Sequence, residues 1–468
     1  MKKGRFVAVL MVLLMQIVTQ ASASGLDDPF STSARVIGSP EDSGICDIKI
    51  TGRELNLADV VQFSLCNNPQ TRAAWASARS AAAQLGASES LRLPTLSVQG
   101  AASHGASVAG SAHSVSNQQS ASLSLGYLLY DFGGREAGID NALELLAAAN
   151  ASGNAALQTV FLNAAQAYFS LMSARANVEA SRTSEASARE SLAAAVARYQ
   201  AGSATPADRL QAKTSLAQAT LARVSAEGTM YNAMGTLANA MGVSPTLVLS
   251  FAELAQARPD IELEDNVGRL IAEAQQQRPE LLAAEARVRA AAAGVASARA
   301  SGMPQLTLNA VASDGRSTAA GGGYANSKNA SIALNLTFPI FTGFKTSYQT
   351  RAAEAQMESS IASRDQLAQQ VTLQVWQAYH NLKTDAQALR TSEDLLASAR
   401  ESEEMSLGRY RAGVGNILDL LTAQSAMASA RQQHVAALFT WHSARFSLAQ
   451  AIGALDLTTL QKIRRMEQ

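Results

Sequence analysis

The sequence contains few of the residues that build metal centres, catalytic sites or compact aromatic cores. Its 468 residues include 2 cysteines, 5 histidines and 10 prolines, and aromatic residues account for 5%. The cysteines and the scattered histidines show no zinc-binding spacing, and no histidine–cysteine pair suggests a nucleophile. The glycine run at 321–323 lacks the Lys-Ser/Thr that follows in a phosphate-binding loop. We therefore predict no metal, no cofactor and no enzymatic activity.

The N-terminus has the features of a secretory signal peptide. A basic start at residues 2–5 and an apolar run over 6–18 precede the small-residue cleavage site "ASA" at 21–23. The alternative is a membrane anchor, but the apolar run is shorter than the ~20 residues that a spanning helix needs. No cysteine follows the cleavage site directly, so no lipid attachment is predicted. Cleavage after Ala23 leaves 35 basic against 38 acidic residues, which gives no indication of a nucleic-acid partner.

The mature chain is a tandem repeat of one unit. The stretch "RYQAGSATPADRLQA" from Arg198 returns as "RYRAGVGNILDLLTA" from Arg409, 211 residues further on. Pro69 and Pro279 start similar segments at an offset of 210. We therefore expect the following organisation: signal peptide 1–23, N-terminal periplasmic segment 24–56, first copy 57–254, linker 255–264, second copy 265–455 and C-terminal tail 456–468.

Each copy is predicted to contain one very long helix. Alanine-rich sequence favours helix over about 134–200 and 343–411, and each stretch ends at the repeated Arg-Tyr turn. A helix of ~65 to 70 residues is about 100 Å long, which is too long to fold into a globule without breaks. Apolar residues follow a heptad-like spacing that predicts coiled-coil packing: Leu157, Phe161, Ala164, Tyr168 and Leu171, then Val371, Val375, Tyr379, Leu382 and Ala386.

Four shorter segments alternate between apolar and small polar residues. They lie at about 94–104, 118–131, 304–313 and 328–341, and each has the length and pattern of a strand in a transmembrane barrel. The Gly-, Ser- and Ala-rich segments from His104 and from Ser313 are predicted to be the connecting loops. The alternative is a soluble sheet with two different faces. Four strands have open edges that cannot face lipid, so a membrane assignment requires several copies of the chain.

Cys46 and Cys66 are the only cysteines, in a chain predicted to enter an oxidising compartment. A disulfide between them would tie the N-terminal segment to the first helix. Two separate buried thiols are the alternative.

The order of these motifs resembles the TolC family of outer-membrane efflux channels over essentially the whole mature chain. The resemblance rests on the helix starts "NNP" and "RPEL", the strands "LPTLSVQG" and "MPQLTLNA", the turns "FGG" and "FTG", and the two "RYxAG" turns. It implies a mostly α fold with a small β part. Four transmembrane strands per chain would form a trimeric 12-stranded β-barrel in the outer-membrane lipid, continued by a long periplasmic α-helical barrel.

The same resemblance implies roles for residues at the two turns, expected at about 201–206 and 412–416. The turns would form the periplasmic tip, where a periplasmic adaptor meets Gly202, Ser203, Gly413, Val414 and Gly415.

Pore-constriction candidates are Asp419, Asp208, Tyr410 and Thr422. Both aspartates also fit helix-capping motifs, and capping and pore lining can coexist. Some members carry a second Asp where Thr422 lies and a basic residue where Gly415 lies. A bond from Tyr410 to Asp208 across neighbouring hairpins is a hypothesis for a closed-state latch.

The segments "CDIKI…LNLADVVQFSLCNNPQTRAAWASA" and "YDFGGREA" look most similar to the cyclolysin secretion channel branch. This resemblance implies the outer-membrane component of type I protein secretion, a homotrimer that works with an adaptor and an inner-membrane ABC transporter. One alternative is the same channel in multidrug or metal efflux. Another is a periplasmic coiled-coil scaffold without a pore.

Overall fold

The computed structural model describes residues 28–36, 46, 54–109, 112–247, 249–252, 266–318 and 323–455. The predicted signal peptide, linker and C-terminal tail lie outside these ranges, and so does most of the N-terminal segment. The chain divides into two compact units, which we name by their main content. The sheet unit comprises Met1–Ile37, Ser77–Asn150 and Ala283–Arg364, and the helix unit comprises Gly38–Ala76, Ala151–Leu282 and Asp365–Gln468.

Long helices alternate with pairs of strands along the chain. In chain order, the elements are β1 (Glu54–Leu55), α1 (Leu57–Asn67), α2 (Pro69–Glu89), β2 (Thr95–Ala109), β3 (Ala112–Tyr130), α3 (Gly134–Gln200), α4 (Pro206–Ala240), β4 (Ser250–Phe251), α5 (Val267–Gln277), α6 (Pro279–Ala300), β5 (Gln305–Thr318), β6 (Tyr324–Thr337), α7 (Lys345–Arg411) and α8 (Ile417–Ala451). Short 3-10 turns lie at Ser33–Arg35 and Ser90–Arg92. No helix in the described part of the chain is long and apolar enough to span a lipid bilayer.

Local signals explain where several helices begin. Asn56 and Thr205 cap α1 and α4 through reciprocal capping boxes, and α4 carries Pro206 in its first turn. Helix α7 begins two residues later than Gly343, the predicted start. Gly343 and Phe344 have φ angles of 63° and 65°, which lie outside the helical region.

The sheet unit contains one antiparallel sheet with the strand order β2-β3-β5-β6. Its register aligns the predicted apolar face across all four strands: Leu96 pairs with Leu125, Leu125 with Ala310, and Ala310 with Ile332. At their hairpin ends the strands continue further than the alternation predicted, as far as the pairs Ala109–Ala112 and Thr318–Tyr324. At its other end β6 stops at Thr337, short of the predicted end at about 341, and Pro339 has no N–H for a ladder. Much of the predicted loop sequence is therefore strand, because ladder hydrogen bonds join backbone groups and do not require alternating side chains.

The main core of the helix unit forms around α3. Phe161, Tyr168 and Leu171 are each no more than 2% exposed and pack with Leu237 of α4 and Phe251 of β4. The predicted seam in α3 is thus in the core, with Leu157 packed at its margin. In α7, Val371, Val375, Tyr379 and Leu382 are buried as well, and Ala386 is partly buried. These seam residues support helix packing.

The N-terminal part of the helix unit is fixed by a covalent bond and by a small sheet. A disulfide joins Cys46 to Cys66 near the end of α1, with 5.6 Å between the Cα atoms. Strand β1 pairs in parallel with β4, where Leu55 lies opposite Phe251. Both side chains are in the core, so the end of the N-terminal segment is held against the end of the first copy.

Candidate functional site

The two turns between long helices share one backbone geometry. In the first turn Gly202 has φ +72° and its N–H donates to the Tyr199 carbonyl at 3.0 Å, while the Ser203 N–H donates to Arg198 O at 2.9 Å. In the second turn Gly413 has φ +82°, its N–H donates to Tyr410 O at 3.1 Å, and the Val414 N–H donates to Arg409 O at 3.1 Å. Each is a Schellman cap, which favours glycine because the position is left-handed.

The helices that leave the turns are capped differently. In α4 the Asp208 N–H donates to Thr205 Oγ1 at 3.2 Å, and Asp208 Oδ2 accepts from the Thr205 N–H at 2.8 Å. In α8 Asn416 Oδ1 accepts from the Leu418 N–H at 3.1 Å, and the reciprocal bond to an acidic side chain is missing. The two aspartates therefore differ in their bonding: the Asp208 carboxylate is part of a helix cap, and the Asp419 carboxylate is not.

Gly415 has no room for a side chain. A Cβ at this position would lie 2.8 Å from Tyr410 N and 2.9 Å from Arg409 C, both of them backbone atoms. The close approach explains why the basic residue expected from the family pattern would not fit this form of the turn.

Tyr410 is buried beneath the first turn. Its side chain is 3% exposed and packs with Ala195, Ala212 and Leu420. The Arg198 guanidinium lies over the ring with its Cζ 4.7 Å from the ring centroid, and Arg198 Nη1 donates to Tyr410 O at 3.0 Å. Burial raises the pKa of the Tyr410 hydroxyl; the positive charge of Arg198 opposes this effect, and the nearby Asp208 carboxylate adds to it. This hydroxyl is buried without a hydrogen-bond partner among the described residues.

A bond from Tyr410 to Asp208 is not formed within one chain, where the Asp208 carboxylate accepts from Thr205. The bond between neighbouring hairpins stays a prediction.

Polar contacts also join the two hairpins at neighbouring residues of α3. Gln424 of α8 donates through Nε2 to Ser191 Oγ of α3 at 2.9 Å, and Arg411 forms an ion pair with Glu190. Neither pair was predicted from the sequence, and neither was Arg198. The repeated Arg-Tyr motif could have indicated that Arg198 is important. It could not have indicated the contact with Tyr410, because the two residues are 212 positions apart in the sequence.

The remaining candidates lie on the surface of the described structure. Gly202, Ser203, Gly413 and Val414 are exposed, and Val414 is 72% exposed. Asp419 and Thr422 are exposed too, and their spacing of three residues places them on one face of α8. The described residues contain no cluster of three or more His, Cys, Asp or Glu side chains able to hold a metal ion. The arrangement offers an exposed carboxylate beside a rigid turn, which can act on charged solutes electrostatically.

Comparison with known proteins identifies the family. The model of the family described as "Outer membrane efflux protein" matches residues 60–243 and again residues 270–454. The chain belongs to the outer membrane efflux protein family. One match falls in each predicted copy, so both hairpins and both turns are part of this family's architecture.

Individual members of the outer membrane efflux protein family are similar over most of the chain. Protein CyaE of Bordetella pertussis is 30% identical over 87% of this chain and 86% of its own length. The alkaline protease secretion protein AprF of Pseudomonas aeruginosa is 28% identical over 65% of this chain and 64% of its own. The solved structure of the outer-membrane channel OprN superposes with a TM-score of 0.75 at 21% identity, covering 85% of this chain and 90% of OprN. This confirms the TolC-like, mostly helical fold with a small β part.

Proposed function

We propose that the chain is a subunit of a trimeric outer-membrane channel, the outer-membrane component of a type I protein secretion system. The observation that carries the proposal is the similarity to CyaE over 87% of the chain, with both copies matched by the family model. The similarity to AprF, a protein named for protease secretion, favours protein as the substrate class.

The sheet supports assembly into a barrel of several chains. Strands β2 and β6 are the edges of the four-stranded sheet, and their outer backbone groups have no ladder partner in the sheet. Such groups cannot face lipid unpaired, so neighbouring chains must complete the ladder. Three chains supply twelve strands, which enclose a channel, whereas eight strands enclose little beyond side chains.

The turns support a tip that meets a pump. In a trimer the two turns give six similar exposed hairpins, and a periplasmic adaptor would dock on Gly202, Ser203, Gly413, Val414 and Gly415. Asp419 would occur three times around one axis, where like charges attract cations and repel each other. The inner-membrane ABC transporter would supply the energy for transport.

The test is deletion of the gene, followed by comparison of the culture-supernatant proteome and of drug susceptibility with the parent strain. Loss of one or a few large secreted proteins with unchanged susceptibility is expected. Intact secretion with increased drug sensitivity would instead indicate an efflux partner, which the family description also allows. Washing of outer-membrane fractions distinguishes both from a periplasmic scaffold, because a scaffold would be removed by the wash.

A further inference from the structure

All charged side chains of the four-stranded sheet lie on one face and at one end. Strands β2 and β3 contain no Asp, Glu, Lys or Arg, whereas β5 contains Asp314 and Arg316 and β6 contains Lys328. Asp314 pairs with Lys328, two residues beyond the pair Ala312–Ala330. Since side chains alternate between faces with a period of two, the three charges share the face of the apolar residues. They lie toward the ends where the hairpins turn.

Toward the helix-connected ends, the same face is strongly apolar and uncovered. Ile332 is 80% exposed, Leu336 70% and Leu96 63%. A shallow groove on this face is lined by Leu96, Leu123, Leu125, Ala310, Ala312 and Ile332. Contiguous apolar side chains that are this exposed are unfavourable in water, so this part of the face requires an apolar partner.

The chemistry of the face changes toward the hairpins. A second groove there is lined by His104, Asn117, Gln119, Arg316, Thr318 and Tyr324. The step from Ala312 in the apolar groove to Arg316 in the polar one is four residues of β5, or about 13 Å. The two grooves thus match an amphipathic ligand with acyl chains at one end and a hydrogen-bonding, hydroxyl-rich group at the other.

Two cations at the polar end are available to a ligand. Arg316 Nε donates to Asn326 Oδ1 at 3.2 Å, and its terminal nitrogens form no hydrogen bond to the described residues. Lys328 Nζ lies 3.8 Å from Asp314 Oδ2, but the two side chains are 81% and 59% exposed. An ion pair this exposed contributes little, so Lys328 can turn to another anion. Together, Asp314, Arg316 and Lys328 give this end of the face one net positive charge.

We propose that this face binds an outer-leaflet lipid whose headgroup is a phosphorylated sugar. Acyl chains lie along the apolar groove, sugar hydroxyls contact the amide, hydroxyl and imidazole side chains of the polar groove, and phosphates bind Arg316 and Lys328. Arginine and lysine are the usual phosphate partners. Charges on a lipid-facing strand are tolerated near the bilayer interface and not at its centre, which agrees with their place near the hairpins. The proposal rests on the proposed function only for placing the sheet in the outer membrane.

The test is lipid binding to the purified full-length protein in mild detergent, followed by native mass spectrometry. The probes are bisphosphorylated lipid A, its dephosphorylated form and phosphatidylglycerol. R316Q/K328Q is expected to bind lipid A about tenfold more weakly than the unmodified protein, since two solvent-exposed charge contacts with phosphate are lost. D314N is expected to bind lipid A more tightly, because a carboxylate that repels phosphate has been removed.

Two further variants serve as controls. R316K keeps the charge while losing the Nε bond to Asn326, so it should retain most of the affinity. R72Q/K213Q removes the same charge from α2 and α4 and should bind as the unmodified protein does. The proposal is overturned if R316Q/K328Q keeps full affinity, if D314N weakens binding, or if either of the other two probes binds as tightly as lipid A.

Conductance of the same preparations in planar bilayers separates the two proposals. A protein that forms no channel contradicts the proposed function. A protein that conducts normally, but whose lipid binding is indifferent to these variants, contradicts the lipid site alone.

Discussion

The two hairpin turns share a sequence motif and nearly the same backbone geometry, but they use their acidic residues differently. In the first turn Thr205 bonds the third helical N–H, and Asp208 returns the bond. In the second turn Asn416 bonds the second helical N–H instead, at Leu418, and Asp419 is left exposed. Exchange of one capping residue thus changes a structural carboxylate into one that is free to act on a solute.

The two tyrosines of the repeated motif differ in the same way. Tyr199 is 36% exposed and its ring lies 4.9 Å from Arg209 Cζ, whereas Tyr410 is 3% exposed beneath Arg198. The second copy therefore contributes the buried side chain between the hairpins, Tyr410, and the first copy contributes Arg198, which lies over its ring.

The largest effect on stability is expected from removing the Tyr410 side chain. Tyr410→Ala should destabilise the packing at the turns by about 3–5 kcal/mol, because it leaves a cavity where a large ring was buried. Tyr199→Ala should cost less than about 1 kcal/mol, since it removes an exposed cation–π contact. Hydrogen exchange at the amides of Gly413 and Val414 measures the difference. Equal protection loss in both variants would contradict the asymmetry.

The copies also differ further along their last helices, where His442 in α8 corresponds to Tyr231 in α4. His442 is 5% exposed and stacks on Phe169 at 5.3 Å, whereas Tyr231 is 66% exposed. Burial, with a smaller contribution from Arg445, lowers the pKa of His442 from 6.5 to about 4. The unfolded chain binds a proton below pH 6.5, whereas the folded chain does so only near pH 4. The contribution of neutral His442 to the free energy of unfolding is therefore complete above pH 6.5 and is lost as the pH falls toward 4.

The expected loss over this window is about 3 kcal/mol. It is measured as the difference in unfolding free energy between pH 7.5 and pH 4. His442→Phe should remove this part of the pH dependence, and Tyr231→Phe should leave it unchanged. An identical pH profile for the unmodified protein and His442→Phe would show that His442 is not held neutral.

Smaller effects are expected at the two aspartates, where one substitution should change stability and the other ion selectivity. Asp208→Asn should destabilise the start of α4 by about 1 kcal/mol, because the capping box loses its carboxylate. It should change ion selectivity little. Asp419→Asn should leave stability nearly unchanged and reduce the preference for cations, measured as the reversal potential across a planar bilayer under a salt gradient. Selectivity that responds to Asp208→Asn and not to Asp419→Asn would reverse the assignment.

Most of the fold could be predicted from the sequence because its signals are local or repeated. Periodicity and alanine content located α3 and α7, and alternation located the apolar face of the sheet. Strands β2, β3 and β5 proved longer than predicted, since a ladder past Ser103 needs only backbone groups. Strand β6 lies about four residues earlier in the chain than predicted. At the turns, glycine positions were evident from the motif. The burial of Tyr410 beneath Arg198 was not, because it joins residues 212 apart in sequence.

The smallest expected change in stability tests the partner of Tyr410. Within one chain its hydroxyl is buried and has no hydrogen-bond partner among the described residues. If it has none in the assembled channel, Tyr410→Phe should be neutral or slightly stabilising, because an unsatisfied polar group has been removed. If it bonds to Asp208 of a neighbouring hairpin, the same substitution should weaken the closed tip and raise conductance. Unchanged conductance would therefore reject the latch, and Tyr199→Phe is the matched control because that side chain is partly exposed in the first copy.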